Sequence, residues 1–178
     1  MYETMQLEKY GVVLKRLTHD KIELVRNWRN DPKIVQYMEF RDYISTEMQE
    51  KWFSKMDSDH HFYFIIEYDK KEIGLINIRD IDYIQKTGES GIFISDNDYL
   101  NSDVSFRSVL CIFDYFFETL NLEKVIAHIL KDNKRAIQFN TMLGFELQAN
   151  QENINNQLYF LEKEKYFIKR SIINRLIH

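Results

Sequence analysis

Residues 89–145 read as a strand, a polar loop, a helix, a second strand and a second helix in unbroken succession, and no other stretch constrains the fold as much. Glu89-Ser90-Gly91-Ile92-Phe93-Ile94 is rich in β-branched and aromatic residues and follows Gly88, in a chain with only five glycines, so it predicts a strand. Ser95-Asp96-Asn97-Asp98 follows as a turn. From Val104 the apolar residues Phe106, Val109, Leu110, Phe113, Phe117 and Leu120 fall three and four apart, the inward stripe of an amphipathic helix that ends at Asn121. Residues 124–130 are apolar at almost every position, as in a strand covered on both faces. Asp132 or Asn133 then caps a helix with Ile137, Phe139, Met142 and Leu143 inside, and Gly144 stops it. A helical crossover returns the chain to the same end of a sheet, so the two strands pair in parallel. The loop before the first helix therefore lies at the strands' carboxyl ends, where free N–H groups and the helix dipole favour an anion.

The remainder supplies more strands and helices. Residues 10–17 alternate Val12, Leu14 and Arg16 against Gly11, Val13 and Lys15, a first strand. Thr18-His19-Asp20 offers a cap for a helix with Ile22, Val25 and Trp28 inside, ended at Asp31-Pro32 because the residue before proline avoids the α region. Residues 33–43 show no clear period, and Ser45 or Thr46 opens a second helix through Lys55 with Met48, Trp52 and Met56 inward. Strands over 62–68 and 72–80 are joined at Asp69-Lys70-Lys71, a hairpin without the usual Asn-Gly. Two further strands, over 145–148 and 157–161, follow Phe145. His60 and His61 are adjacent and point to opposite sides of an extended chain, a poor metal pair.

A chain of 178 residues suits one domain, burying roughly 70% of its unfolded surface. A hydrophobic content of 44%, with thirteen Phe and eleven Tyr, excludes disorder, and the single Pro excludes a proline-rich linker. The net charge of −4 argues against a nucleic-acid partner. The one cysteine, Cys111, lies on the apolar face of the central helix and builds neither a disulfide framework nor a metal cluster. There is no cationic and apolar leader and no long uncharged apolar run, so the expectation is a cytoplasmic protein without a membrane partner. Over residues 163–178, Phe167, Ile168, Ile172 and Leu176 among Lys163, Lys165, Lys169, Arg170 and Arg175 form a basic amphipathic helix. It is expected to pack on the domain of residues 1–162, with assembly into a homodimer as the alternative.

The phrase Asp132-Asn133-Lys134-Arg135-Ala136-Ile137-Gln138-Phe139-Asn140-Thr141-Met142-Leu143-Gly144-Phe145 resembles a conserved block of the GNAT superfamily of acetyl-CoA-dependent N-acetyltransferases. Trp28-Arg29-Asn30-Asp31-Pro32, residues 63–68, Gly74 and Asp80-Ile81-Asp82 extend the resemblance over about residues 12–162. They look like the branch that holds ribosomal-protein N-terminal acetyltransferases and enzymes acting on nucleotide-linked amino sugars. The resemblance implies an α+β fold: three α/β/α layers around a mixed, mostly antiparallel sheet of about seven strands and four helices, with the C-terminal helix added. It implies acetyl-CoA as cofactor and a small-molecule amine, most readily that of a nucleotide-linked amino sugar, as substrate. A protein N-terminal amine and a non-catalytic GNAT-like binding module are the alternatives.

The resemblance also implies where the site residues lie. The cofactor's pantetheine arm would add beside the strand at Ile92, Phe93 and Ile94, met by backbone groups. Its pyrophosphate would face Ser102, Asp103, Val104, Ser105, Phe106 and Arg107, a loop without the glycines usual there. In that loop Asp103 is either offset by Arg107 and the hydroxyls of Ser102 and Ser105, or it merely caps the helix. Asn133 matches a cofactor-facing Asn. Asn140 stands where the family usually has a tyrosine that protonates the departing thiolate, and an amide only donates a hydrogen bond. Glu89 is the expected base. Arg29, Asn30, Tyr37, Asp80 and Tyr83 would line the substrate pocket, with Arg29 forking onto phosphate oxygens.

Overall fold

Strand β3 (Phe62–Tyr68) is buried over its first five residues, because helices cover the sheet on both sides. Phe62, Phe64 and Ile66 enter one core, and Tyr63 and Ile65 enter another. The computed structural model describes residues 5–56 and 58–177. Around β3 lies an eight-stranded sheet, β1 (Gln6–Lys9), β2 (Val12–Arg16), β4 (Lys71–Asp82), β5 (Thr87–Ile94), β6 (Lys124–Leu130), β7 (Glu146–Leu147) and β8 (Asn156–Glu162) being the others. Their order is β1-β2-β3-β4-β5-β6-β8-β7. All neighbours are antiparallel except β5 and β6, the parallel pair expected from residues 89–145.

Helices α1 (Ile22–Asn30), α2 (Pro32–Val35) and α3 (Thr46–Met56) precede β3. Ile22 and Val25 of α1 pack with Leu17, Tyr63, Ile65 and Leu75, flanked by Trp28, Trp52, Phe53 and Met56. The opposite face is covered by α4 (Val104–Asp114), α5 (Lys134–Leu143) and α6 (Lys163–Asn174). From α4 the buried Val104, Val109, Leu110 and Phe113 meet Leu14, Phe64, Ile76 and Ile78 of the sheet. A π turn over Tyr115–Thr119 prolongs α4 and ends where Asn121 takes a positive φ. Gly144 closes α5 at φ 102, a conformation that costs other residues a Cβ clash. At Asp69 and Lys70 φ is +49 and +62, so the β3–β4 turn has the backbone of a type I′ hairpin although neither residue is glycine.

Five readings of the sequence need correction, one of them Met142 of α5, which is exposed and not inside. Strand β1 lies outside the first strand as read, since its four residues form an edge without a buried side chain and carry no hydrophobic alternation. The stretch over 33–43 contains most of α2, a single turn capped by the Asp31 carboxylate on the Lys33 N–H at 2.9 Å, too short to show a period. In α3, Met48 is exposed and Gln49 is buried, its amide donating to the Ile22 carbonyl at 2.9 Å. In β6, Val125, Ala127 and Ile129 are buried while Ile126 is half-buried and His128 exposed, because α1 and α3 cover only the other half of the sheet.

Asp114 holds the helical layer together. Its carboxylate is 4% exposed and accepts from Tyr10 Oη at 2.7 Å, Tyr166 Oη at 2.6 Å, Arg170 Nη1 at 2.8 Å and Lys9 Nζ. The β1–β2 turn, α4 and α6 are thereby joined, and Tyr166, Ile173 and Ile177 are buried beneath α6. Ile168, Ile172 and Leu176 stay exposed on its outer side. No helix among the described residues is long and apolar enough to cross a membrane. Cys111 is buried in this core, and burial pushes its thiol up to about 12.

Burial raises the pKa of Asp114, but hydrogen bonds from Lys9, Tyr166, Tyr10 and Arg170 outweigh it and hold the carboxyl below its ordinary value. A depressed carboxyl contributes stability that is present above its unfolded pKa and lost as pH falls through the folded one. Asp114→Asn should therefore lower unfolding free energy at pH 7 by about 3 kcal/mol in a urea titration, and the gap to wild type should narrow below about pH 4.

Candidate active site

The parallel pairing of β5 with β6 is short. It runs through Thr87↔Lys124, Gly88↔Val125 and Glu89↔Ile126 and stops, while β5 stays paired with β4 out to Gly74↔Ile94. β6 meanwhile follows β8 to Leu130↔Asn156. The two strands thus part into a fork, and β5 beyond Glu89 presents backbone that β6 does not pair. Buried strand backbone left unpaired is costly, and an extended ligand with amides of its own satisfies it. The side chains here are spent on packing. Ile94 is buried with α4, Phe93 meets Trp28 edge-on at 6.2 Å, and Ile92 is half-buried against the same core.

The loop at the start of α4 is ordered by its own groups. Ser102 Oγ donates to the Tyr99 carbonyl at 2.8 Å and accepts from the Val104 N–H at 3.3 Å, and Val104 is fully buried. Phe106 packs on Phe139 of α5 at 4.6 Å, and Ser105 is half-exposed in the first turn. Arg107 is turned away from the loop mouth: it donates to the Tyr10 carbonyl at 2.9 Å, to Asp103 at 2.8 Å and to the Ile177 carbonyl. Asp103 is thus neutralised within the protein, and its side chain makes no cap bond. Arg135, two residues past Asn133 and given no role in the sequence reading, reaches from α5 to the Leu100 carbonyl and brings positive charge to this loop. Asn133 caps α5, its Oδ1 accepting from the Ala136 N–H at 3.1 Å. Asn140 bonds its own helix, Nδ2 donating to the Ala136 carbonyl at 2.8 Å.

Below the fork, on the face shared with α1, polar groups gather. Arg79 Nη2 donates to Glu89 Oε1 at 2.5 Å, and His128 Nδ1 stands 3.2 Å from the same oxygen. Arg79 also lies 3.4 Å from Asp80, whose N–H donates to His61 Nδ1 at 3.1 Å. Burial holds the Arg29 guanidinium below its ordinary pKa, an effect that Tyr63 opposes and Arg79 reinforces. Burial likewise pushes the Tyr63 phenol up to about 12. Arg29 Nε and Asn77 Oδ1 are buried without a hydrogen-bond partner. Opposite Asn77 stands Gly91, where a Cβ would come within 3.2 Å of Asn77 Nδ2, so glycine keeps that space open. Near the far ends of β6 and β8 a cavity of about 320 Å³ is lined by Met38, Glu39, Arg41, Leu130, Asn155 and Asn156.

The structure brings Arg29, Asp80 and Glu89 together and leaves three other expected residues apart. Asn30 clamps Ile44, donating to its carbonyl and accepting from its N–H, both at 2.9 Å. Tyr83 is tied to the Asp59 carbonyl at 2.6 Å and packs edge-on against His60. Tyr37 is 53% exposed beyond α2. Tyr63, Asn77, Arg79, Gly91 and His128 were not among the expected site residues, because they come from four strands and meet only through the register of the sheet. The alternation of Asn77 and Arg79 with buried Ile76 and Ile78 is the one signal that marked a polar face.

A forked sheet with an open strand edge, a helix start beside it and a polar cleft across it suits a ligand with an extended, amide-bearing arm and an anionic end. Residues 12–146 match the acetyltransferase (GNAT) domain family, and the chain belongs to it. It is an acetyl-CoA-dependent N-acetyltransferase. Acetyltransferase PseH of Campylobacter jejuni is 28% identical over 123 residues, 68% of this chain and 74% of that protein. The spermidine N-acetyltransferase of Vibrio cholerae, solved with CoA and spermine, superposes with a TM-score of 0.77 at 23% identity, covering 88% of this chain and 98% of that one. FdhC, described as a nucleotide-linked sugar GNAT, superposes with a TM-score of 0.80 at 20% identity, covering 98% and 99%.

Because Asn133 carries the only side-chain cap of α5, Asn133→Ala should lower stability by about 1 kcal/mol, and Asn133→Ser, another cap former, should restore most of it. Urea unfolding of the three proteins measures both.

Proposed function

We propose that the protein acetylates the amine of a small molecule that also carries an anionic group, and that a nucleotide-linked amino sugar is the acceptor that answers this description. Arg29 carries the reading. Its Nε is buried, its guanidinium has no carboxylate partner among the described residues, and Arg79 lies near enough to repel it. A desolvated, unpaired cation costs several kcal/mol, and a phosphate that forks onto it offsets that cost. Arg41 in the adjoining cavity offers a second cation, with only its Nε engaged, on the Met38 carbonyl at 3.0 Å. A polyamine such as spermidine would add positive charge to this surface. The likeness to FdhC supports the reading at the level of fold. A protein N-terminal amine brings no fixed anion to Arg29.

Acetyl-CoA supplies the acetyl thioester. Backbone groups of Ile92, Phe93 and Ile94 on the open edge of β5 would hold its extended arm. The start of α4, with Ser102, Val104, Ser105 and Phe106, would face the pyrophosphate, and Arg135 would supply the charge that Arg107, held by Asp103, does not. Asn77 Oδ1, opposite Gly91, would accept from the acceptor.

Wild-type protein should bind acetyl-CoA in a calorimetric titration and release thiol with a nucleotide-linked amino sugar in preference to spermidine. Arg29→Met should raise KM for the sugar nucleotide about 10- to 100-fold, the value of one or two charge-assisted hydrogen bonds, with acetyl-CoA affinity unchanged. A wild-type preference for spermidine would overturn the anionic reading.

A further inference from the structure

His128 stands in the mouth of the fork, and neither the family pattern nor the expected site residues assign it a role. Glu89 and Ile126 form the last β5–β6 pair, and His128 is the next residue on the same face of β6. Its Nδ1 is 3.2 Å from Glu89 Oε1, which also accepts from Arg79 Nη2 at 2.5 Å. The carboxylate side chain is 16% exposed and the imidazole 39%, so His128 is the member of the pair that a molecule in the cleft meets first. Leu130, one step further on that face, lines the 320 Å³ cavity and connects it with His128.

We propose that His128 Nε2 carries the proton during acetyl transfer and that Glu89 is a positioning residue. Nδ1–H donates to Glu89, which fixes the tautomer and leaves the Nε2 lone pair facing the cleft. When the acceptor nitrogen bonds to the acyl carbon it sheds one proton, and His128 Nε2 takes it. When the carbon–sulfur bond breaks, the imidazolium gives that proton to the sulfur. One N–H is lost, one S–H is gained, and His128 ends neutral. A single imidazole can serve both steps because its ring nitrogen accepts a proton as the neutral base and returns it as the imidazolium.

The neighbouring groups agree with this division. Glu89 Oε1 is engaged by a guanidinium and an imidazole, so the carboxylate serves as a fixed acceptor. Asn140, at the position of the family's tyrosine, has no titratable proton and spends its amide on Ala136. The charged or titratable groups around the pair are Arg79 and Asp80 from β4, Arg29 from α1 and Tyr63 from β3. Tyr63, pushed up to about 12 by burial, keeps its proton at neutral pH.

The inference rests on the reading that the amine enters along this cleft, and the two fail in different ways. In ¹⁵N imidazole spectra of the protein alone, above neutral pH, His128 should carry its proton on Nδ1, and Glu89→Ala should move it to Nε2. With a nucleotide-linked amino sugar as acceptor, His128→Gln should lower kcat/KM about 10²- to 10⁴-fold, while calorimetric acetyl-CoA affinity stays within about threefold. A wild-type proton on Nε2 would overturn the proposal, as would a His128→Gln enzyme within about threefold of wild-type kcat/KM. Absence of acetyl-CoA binding by wild type would instead remove the reading of the cleft itself, and the proposal with it.

Discussion

The end of the β5–β6 ladder at Glu89 and Ile126 is the constraint from which the site follows. Each strand keeps its other partner past that point, β5 on β4 and β6 on β8, so neither needs the other in order to stay extended. The parting exposes one edge of β5 without unravelling the sheet. It lies beside the face on which Arg79, Glu89 and His128 meet, since Glu89 is the last residue of β5 that β6 pairs.

Such an opening weakens a fold unless the surrounding layers are held by other means. α4 has that function here, and it is tied at both ends. Near its start Arg107 bridges the Tyr10 carbonyl, Asp103 and the Ile177 carbonyl, and at its end Asp114 gathers Lys9, Tyr10, Tyr166 and Arg170. Both clusters recruit the β1–β2 turn and the C-terminal segment. Four donors on one buried carboxylate meet the usual condition for tolerating a charge in the interior, which is that every lone pair be satisfied. The commitment leaves Arg107 engaged at the loop before α4, and Arg135 on the neighbouring helix reaches the same loop.

The face toward α1 follows the opposite rule. Asn77 Oδ1 and Arg29 Nε are buried there without a hydrogen-bond partner. Unsatisfied polar atoms cost free energy that folding alone does not return, and these two lie on the face that carries Glu89 and His128. Glu89 was expected to act as the base in its own right. Its two neighbours, Arg79 and His128, are what support the orienting role proposed for it.

Much of the fold was legible along the chain. The order of elements, the parallel crossover, the inward stripe of α4 and the caps at Asn133 and Gly144 are local or periodic, and periodicity survives whatever the helix or strand packs against. The phrase around Asn133 and Asn140 placed the chain among the acetyltransferases for the same reason, since a motif is contiguous. The edge strand β1, the exposed Met48 beside buried Gln49 and the open face of β6 were not legible, because burial is decided by the neighbour and not by the residue. The same limit hid the chemistry. Arg29 and Glu89 were expected, but Tyr63, Asn77, Arg79, Gly91 and His128 come from four strands, and only strand register brings them to one face. The sequence by itself determined which elements form and which family they build; the tertiary structure decided that Arg107 is a brace, that Asn30 and Asn140 bond backbone, and that His128 meets Glu89, because each depends on distances between residues far apart in the chain.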